Sequence, residues 1–313
     1  MKTNPLGRTG LNVSKLTLGG AAIGRQYGPV APAEVQALVE CALNAGVNLI
    51  DTSAYYGEGE SEQLLGDVLT RNGLRDRTAI CTKAGRIAKE RFDFSAKGMR
   101  ASLEDSLRRL KTDHVEILLA HDIEYAEDLE QVFTETADVL HQLKSEGKVK
   151  FIGMSGLPIP VLNRAMVRCD LDVVISYCRY TLFDDALLTD LLPTAEAQGV
   201  GVMNASPLSM GLLSPGGPPP WHPAPPQVHA ACRAANDLCL ARGENLAELA
   251  MQFCFAQDRI PTTITGTAKV LEFEANLAAM AKPIGLDLLR DVQAVLTPIR
   301  NRSWPSGRHG RGD

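Results

Sequence analysis

Gly46-Val-Asn-Leu-Ile-Asp-Thr-Ser-Ala-Tyr-Tyr-Gly57 is the stretch on which the fold of this chain turns. A short, nearly continuous apolar run, Val47–Ile50, stops at Asp51, and Tyr56 follows five residues later, just before Gly57. Such a run suits a strand covered on both faces, as in a parallel sheet. The form recurs. Lys15–Leu18, Thr78–Thr82, Val115–Ala120, Val149–Gly153, Asp172–Ser176, Gly201–Asn204 and Thr262–Thr265 bring the number of expected strands to eight. Between them runs helical periodicity, clearest in Glu127–Gly147, where Leu129, Val132, Phe133, Leu140 and Leu143 share a face. The same reading places helices at Pro32–Ala45, Ser61–Leu69, Ser95–Leu110, Ile159–Arg168, Asp185–Gln198, Glu244–Gln257 and Val270–Ala281. Alternation of this kind predicts an α/β protein, a (β/α)8 TIM barrel whose active site lies at the C-terminal ends of its strands. An open doubly wound sheet would show G-x-G-x-x-G after its first strand, and Leu18-Gly-Gly-Ala-Ala-Ile-Gly24 lacks that spacing.

Two segments fall outside the repeat. Gly7-Arg-Thr-Gly10 between Leu6 and Leu11 reads as the turn of a hairpin that closes the barrel floor. Ser214–Gln227 is too rich in Pro and Gly for a regular element and reads as a loop over the site, in which Trp221 and His222 either contact ligand or pack the loop down. Residues 1–307 are expected to form one barrel domain, and Arg308–Asp313, with glycine, charge and no periodicity, a disordered tail.

Composition narrows the class. The 313 residues are 45% hydrophobic and 22% charged with a formal net charge of -5, the profile of a globular chain without the cationic surface that nucleic acid requires. No apolar run reaches a membrane span and the N-terminus lacks the apolar core of a secretory signal, so a cytoplasmic protein is expected. The seven cysteines form no Cys-x-x-Cys pair, which points to reduced thiols and no metal.

The polar residues that end the apolar runs carry the chemistry. Asp51, Lys83, His121 and Ser155 each follow a strand, and Tyr56 lies near enough to turn its hydroxyl over the mouth. An ammonium beside a phenol stabilises the phenolate and lowers its pKa, so Lys83 is expected to tune Tyr56 as the proton-transfer group. Asp51 would keep Lys83 ionised. His121 would donate a hydrogen bond to the substrate oxygen or shuttle its proton. No side chain supplies hydride, so a cofactor is required.

The Gly46–Gly57 stretch with Ser61-Glu62 resembles the signature of the aldo-keto reductases, and Thr82-Lys83, His121, Phe151-Ile-Gly-Met-Ser155, Ser206-Pro-Leu208, Gly211-Leu-Leu213 and Asn276-Leu-Ala-Ala279 follow in family order. The resemblance implies that Asp51, Tyr56, Lys83 and His121 form the catalytic tetrad. It also implies that Gly19, Ser155, Ser176, Ser206, Leu208, Met210, Gly211, Gly266, Thr267, Glu272 and Asn276 bind a nicotinamide cofactor, and that Tyr27, His121, Trp221 and His222 meet the substrate. Further motifs, among them Phe92-Asp-Phe-Ser95, Ser176-Tyr-Cys-Arg-Tyr180 and Trp304-Pro-Ser-Gly307, are similar to the aldose dehydrogenases of the family. The implied reaction is NAD-dependent oxidation of an aldose at C1 to the lactone, L-galactose to L-galactono-1,4-lactone foremost. The alternatives are L-fucose, D-arabinose or pyridoxal as substrate, a broad NADPH-dependent aldehyde reductase, or a cofactor-sensing subunit without turnover.

Three departures from the family pattern stand out: Ser155-Gly156 replaces the usual Ser-Asn, Ala205 stands where an aromatic residue commonly stacks on nicotinamide, and Gly266 and Glu272 replace the basic residues that hold a 2′-phosphate. A carboxylate repels phosphate, so NAD is expected over NADP. A small sugar is the only partner expected, in a monomer or weak homo-oligomer.

Overall fold

The computed structural model describes residues 1–71 and 73–309. Twelve strands occur among them: β1 (Thr3–Pro5), β2 (Asn12–Ser14), β3 (Leu16–Gly19), β4 (Leu49–Asp51), β5 (Ala79–Ala84), β6 (Arg86–Ala88), β7 (Arg91–Phe92), β8 (Val115–Ala120), β9 (Val149–Gly156), β10 (Val173–Tyr177), β11 (Gly201–Ala205) and β12 (Thr262–Gly266). Eight of them, in the order β3-β4-β5-β8-β9-β10-β11-β12, close into a parallel barrel, and each lies where the apolar runs placed it.

Side-chain alternation sorts every strand into an inner and an outer set. Leu49, Cys81, Ile117, Leu119, Val173, Ile175, Met203 and Ile264 fill the interior. Their neighbours Ile50, Ile80, Leu118, Ile152, Val174 and Val202 face outward and pack on helix residues such as Leu38, Leu65, Leu103, Leu140 and Leu162. The floor is the antiparallel hairpin β1–β2, as the turn signal implied. Leu6 is fully buried in the interior cluster. Gly7 has φ +52°, and a Cβ there would meet the backbone nitrogen of Gly201 at 2.3 Å, so the turn presses against the start of β11.

Two helices were not expected, Pro226–Ala241 and Leu286–Leu296. They stand outside the one-helix-per-strand repeat and build a second core with Leu212, Leu213, Leu246 and Trp304. The first of them also shortens the loop expected at Ser214–Gln227, because Pro226 occupies an opening helical position where a missing N–H costs nothing. The hairpin β6–β7 is likewise an addition, inserted between β5 and the helix Ala96–Leu110. At the C-terminus, the N–H groups of Arg308 and His309 donate to Glu124 O, and the His309 ring to Ala126 O, so these two residues are held where a disordered tail was expected. Gly310–Asp313, the remainder of that tail, lie outside the described residues.

Candidate active site

Asp51, Lys83 and His121 share the parity of the inner set on β4, β5 and β8, and so all three project into the mouth of the barrel. Lys83 Nζ spends its three protons on Asp51 Oδ1 (2.7 Å), Thr52 O (2.8 Å) and Tyr56 OH (3.1 Å). That fixes the ammonium against the phenol. The strand end itself is pinned from outside, since Thr82 Oγ1 donates to the fully buried Glu62 (2.5 Å), which also accepts from Arg109 Nε (2.8 Å).

Tyr56 reaches the site because two loops lie back to back. A Cβ on Gly24 would meet the Tyr56 carbonyl carbon at 2.5 Å, and one on Gly57 (φ +65°) would meet Gly24 O at 2.4 Å, so only glycine permits the approach. Ser61 Oγ then ties the start of the following helix to Gly20 O (2.8 Å).

His121 is 4% exposed, and its Nδ1 lies 2.9 Å from Ser53 Oγ. The Ser53 hydroxyl already accepts the Tyr55 N–H (3.0 Å), so its own proton is free to go to Nδ1, which leaves the ring proton on Nε2. Asp122 Oδ2, 3.6 Å from Nε2, favours the same tautomer. Burial lowers the imidazole pKa to about 3, against the pull of Asp122, so His121 is a neutral hydrogen-bond donor.

One expectation is corrected here. Burial drives the Tyr56 phenol well above its ordinary value and outweighs the lowering by Lys83, so the phenol rests protonated. Lys83 itself loses by burial but gains more from Asp51 and Tyr56, and its proton is held tightly.

The residues expected around the tetrad divide. Gly19, Ser155, Ala205 and Gly266 lie at the ends of β3, β9, β11 and β12 on the inner parity. Ser206, Leu208, Met210 and Gly211 make a tight turn after β11, with φ of 55° at Ser206, 50° at Met210 and 102° at Gly211. Thr267 opens the loop after β12 and donates to Glu272 (2.6 Å), which also accepts from Lys269 (3.1 Å), while Asn276 Nδ2 lies 3.5 Å from Thr265 Oγ1. Tyr27 and Trp221 are exposed on the loops after β3 and β11 and meet at 6.1 Å between ring centroids.

Two assignments fail on geometry. Ser176 follows the inner Ile175 and shares the outer face of Val174, so its hydroxyl leaves the mouth, and the neighbouring Tyr177, register partner of Ala205, faces inward instead. His222 is buried with Nε2 on Ser209 O (3.0 Å) and Nδ1 on Ala224 N (3.1 Å), so both nitrogens are spent folding the loop and none remains for substrate. Ser53, Tyr177 and the pair Arg86–Asp122 were missed in the sequence. Only Asp122, next to His121, carried a signal there.

The end of β12 and the start of the helix Val270–Ala281 leave backbone open to a ligand. Gly266 is exposed, and a Cβ there would meet nothing nearer than Gly19 O at 3.9 Å. No side chain caps that helix, so its first N–H groups are open to an anion.

The Aldo/keto reductase family profile matches residues 15–296. L-galactose dehydrogenase of Arabidopsis thaliana is 43% identical over 312 residues, 97% of each chain. D-arabinose 1-dehydrogenase of Saccharomyces cerevisiae is 34% identical over 82% of this chain and 78% of that protein. Among solved structures, the holo form of aldo-keto reductase AKR11C1 from Bacillus halodurans superposes with a TM-score of 0.80 at 25% identity, covering 98% of this chain and 99% of that one. Barrel, joined polar site and likeness agree, and this chain is a member of the aldo/keto reductase family, an oxidoreductase that works between alcohol and carbonyl with a nicotinamide cofactor.

Proposed function

We propose that the protein oxidises an aldose at C1 to the aldonolactone with NAD, and that L-galactose is its substrate. The 43% identity across 97% of both chains carries this reading, because a match of that length includes the loops in which substrate choice resides. The reading includes a cytoplasmic monomer or weak homo-oligomer; no described helix is long and apolar enough to cross a membrane. Initial rates of NAD and NADP reduction over a panel of L-galactose, L-fucose, D-arabinose and L-gulose test it. Strong NAD-linked turnover of L-galactose is expected. Aldehyde reduction with NADPH and no sugar turnover would replace the reading with a broad reductase.

Bound nicotinamide supplies the acceptor for the hydride that leaves C1. Ser155 and Tyr177 would flank it, Ser206–Gly211 and Gly266 would lie along the phosphates, and Thr267, Glu272 and Asn276 would meet the adenosine. The chain's own work is proton transfer and positioning. Tyr56 Oη accepts the proton of the C1 hydroxyl, Lys83 stabilises the phenolate on which that step depends, and His121 Nε2–H holds the same oxygen. The carbonyl of the lactone forms as the C1–H bond breaks.

Protonated Tyr56 gives this direction a pH dependence with a definite sign. Since burial raises the phenol above 10, the ionised fraction increases about tenfold per pH unit below that value, and log kcat/KM for oxidation should climb with slope near one from pH 7 to 9. His121, with its pKa near 3, adds no inflection from pH 5 to 8. A plateau below pH 8 would contradict the assignment.

Cofactor choice rests on Glu272. Its carboxyl is held below the usual range: partial burial alone would raise it, and the hydrogen bonds from Thr267 and Lys269 prevail, so it is ionised at neutral pH and already neutralises Lys269. The Glu272 carboxylate cancels the attraction that Lys269 would offer a 2′-phosphate, whereas ribose hydroxyls can donate to it. Glu272→Arg is expected to raise the NADP/NAD ratio of kcat/KM about tenfold or more. An unchanged ratio would place the discrimination elsewhere.

A further inference from the structure

Arg86 and Asp122 form a buried ion pair beside His121 that the proton transfer above does not use. A residue after the inward-facing His121 would ordinarily turn to the helix layer. Asp122 has left-handed backbone instead (φ 52°), and its Oδ2 lies 3.6 Å from His121 Nε2. Arg86 holds that same oxygen, while its guanidinium sits over the ring of Tyr55 at 4.0 Å and that of Tyr125 at 4.6 Å. Phe92 stacks on Tyr125 at 5.0 Å and 7°, so the hairpin β6–β7, which carries Arg86 itself, also walls its guanidinium. Asp122 N–H donates to Ser155 Oγ at 3.1 Å, which anchors the backbone that carries the carboxylate.

An ion pair withdrawn from water is poor value for stability, and a charged acceptor fixed this close to the reacting oxygen is better explained as a binding group. Relying on the function proposed above, we propose that Asp122, held by Arg86, accepts a hydrogen bond from the 2-hydroxyl of the aldose whose C1 oxygen lies between Tyr56 and His121.

The distances close. A substrate oxygen on His121 Nε2 sits about 2.9 Å from it, a gauche vicinal hydroxyl about as far again, and a hydroxyl donating to a carboxylate about 2.7 Å from its acceptor. With the observed 3.6 Å edge between Nε2 and Oδ2, these four atoms make one compact ring. Simple aldehydes lack the fourth atom. The site therefore favours 2-hydroxy substrates, since with any other ligand Asp122 keeps only its bond from Arg86 and gains none from the substrate.

The test compares kcat/KM for L-galactose and its 2-deoxy analogue in the wild type, in Asp122→Asn, and in the double variant Asp122→Leu with Arg86→Met, which removes both charges together. NAD titration by tryptophan fluorescence and thermal melting verify that each variant is folded. The wild type is expected to favour the 2-hydroxy sugar at least about 30-fold, and the double variant to lose nearly all of that preference through the parent sugar alone. Asp122→Asn, which keeps a neutral acceptor, should fall between them. Equal loss on both sugars would mean that the pair only orients His121, and equal wild-type rates would mean that no 2-hydroxyl is read. Either result overturns the proposal while the aldose reaction stands. A wild type that oxidises no aldose at all removes the function and this inference together.

Discussion

Tyr56→Phe is expected to lower kcat for the sugar about a thousandfold while leaving NAD affinity within about twofold, the size of effect typical of a lost general acid–base group. Only one oxygen is removed. The ring keeps its edge contact with His121 at 5.8 Å and its neighbour Tyr55 at 6.2 Å. Lys83 loses a partner at 3.1 Å but retains Asp51 Oδ1 and Thr52 O, so the ammonium stays in place and the fold has no reason to change. Single-turnover rates with a parallel NAD titration separate chemistry from binding. A folded variant with near-wild-type turnover would take the proton transfer away from Tyr56.

Lys83→Met is expected to act on both chemistry and stability. Without the ammonium the phenolate has no counter-charge, and oxidation should fall by a factor similar to that for Tyr56→Phe. The partner is affected as well, because Asp51 is 3% exposed and is left with no cation at hydrogen-bond distance. Breaking a buried pair from one side costs about 3–5 kcal/mol, which a melting curve detects readily. Burial already raises the Asp51 carboxyl in the presence of Lys83, and removal of the lysine raises it further. A carboxyl raised in the folded state favours folding below its unfolded pKa and loses that contribution as pH rises through the folded value. The stability gap to wild type should therefore widen from acid toward neutral pH. Adding Asp51→Asn should close most of the gap without restoring turnover. A variant of Lys83 alone that melts like wild type at pH 7 would show that the pair is not coupled in this way.

The eight barrel strands were legible because each is a short apolar run bounded by polar residues, a pattern set by burial on both faces that survives without knowledge of the neighbours. Three of the tetrad were legible for a related reason: Asp51, Lys83 and His121 end such runs on the parity that faces the mouth of the barrel, and Tyr56 follows close behind the first of them. Pro226–Ala241 and Leu286–Leu296 were not, because they pack on each other and on Trp304 rather than on a strand of the repeat. Neither segment announces its partner. Ser176 was misplaced because its own sequence fixes a strand but not which face points inward, and one residue of parity exchanged it for Tyr177.

The sequence by itself determined the barrel, the family, and the four side chains proposed for the tetrad, since local periodicity and strand-end chemistry depend on residues close together in the chain. The tertiary structure alone decided the protonation of Tyr56, the tautomer of His121, the use of His222 as a loop clasp and the meeting of Arg86 with Asp122. Each of these depends on burial and on partners brought in by other loops. Desolvation and hydrogen-bond geometry belong to the folded assembly of strands, and no single stretch of the chain encodes them.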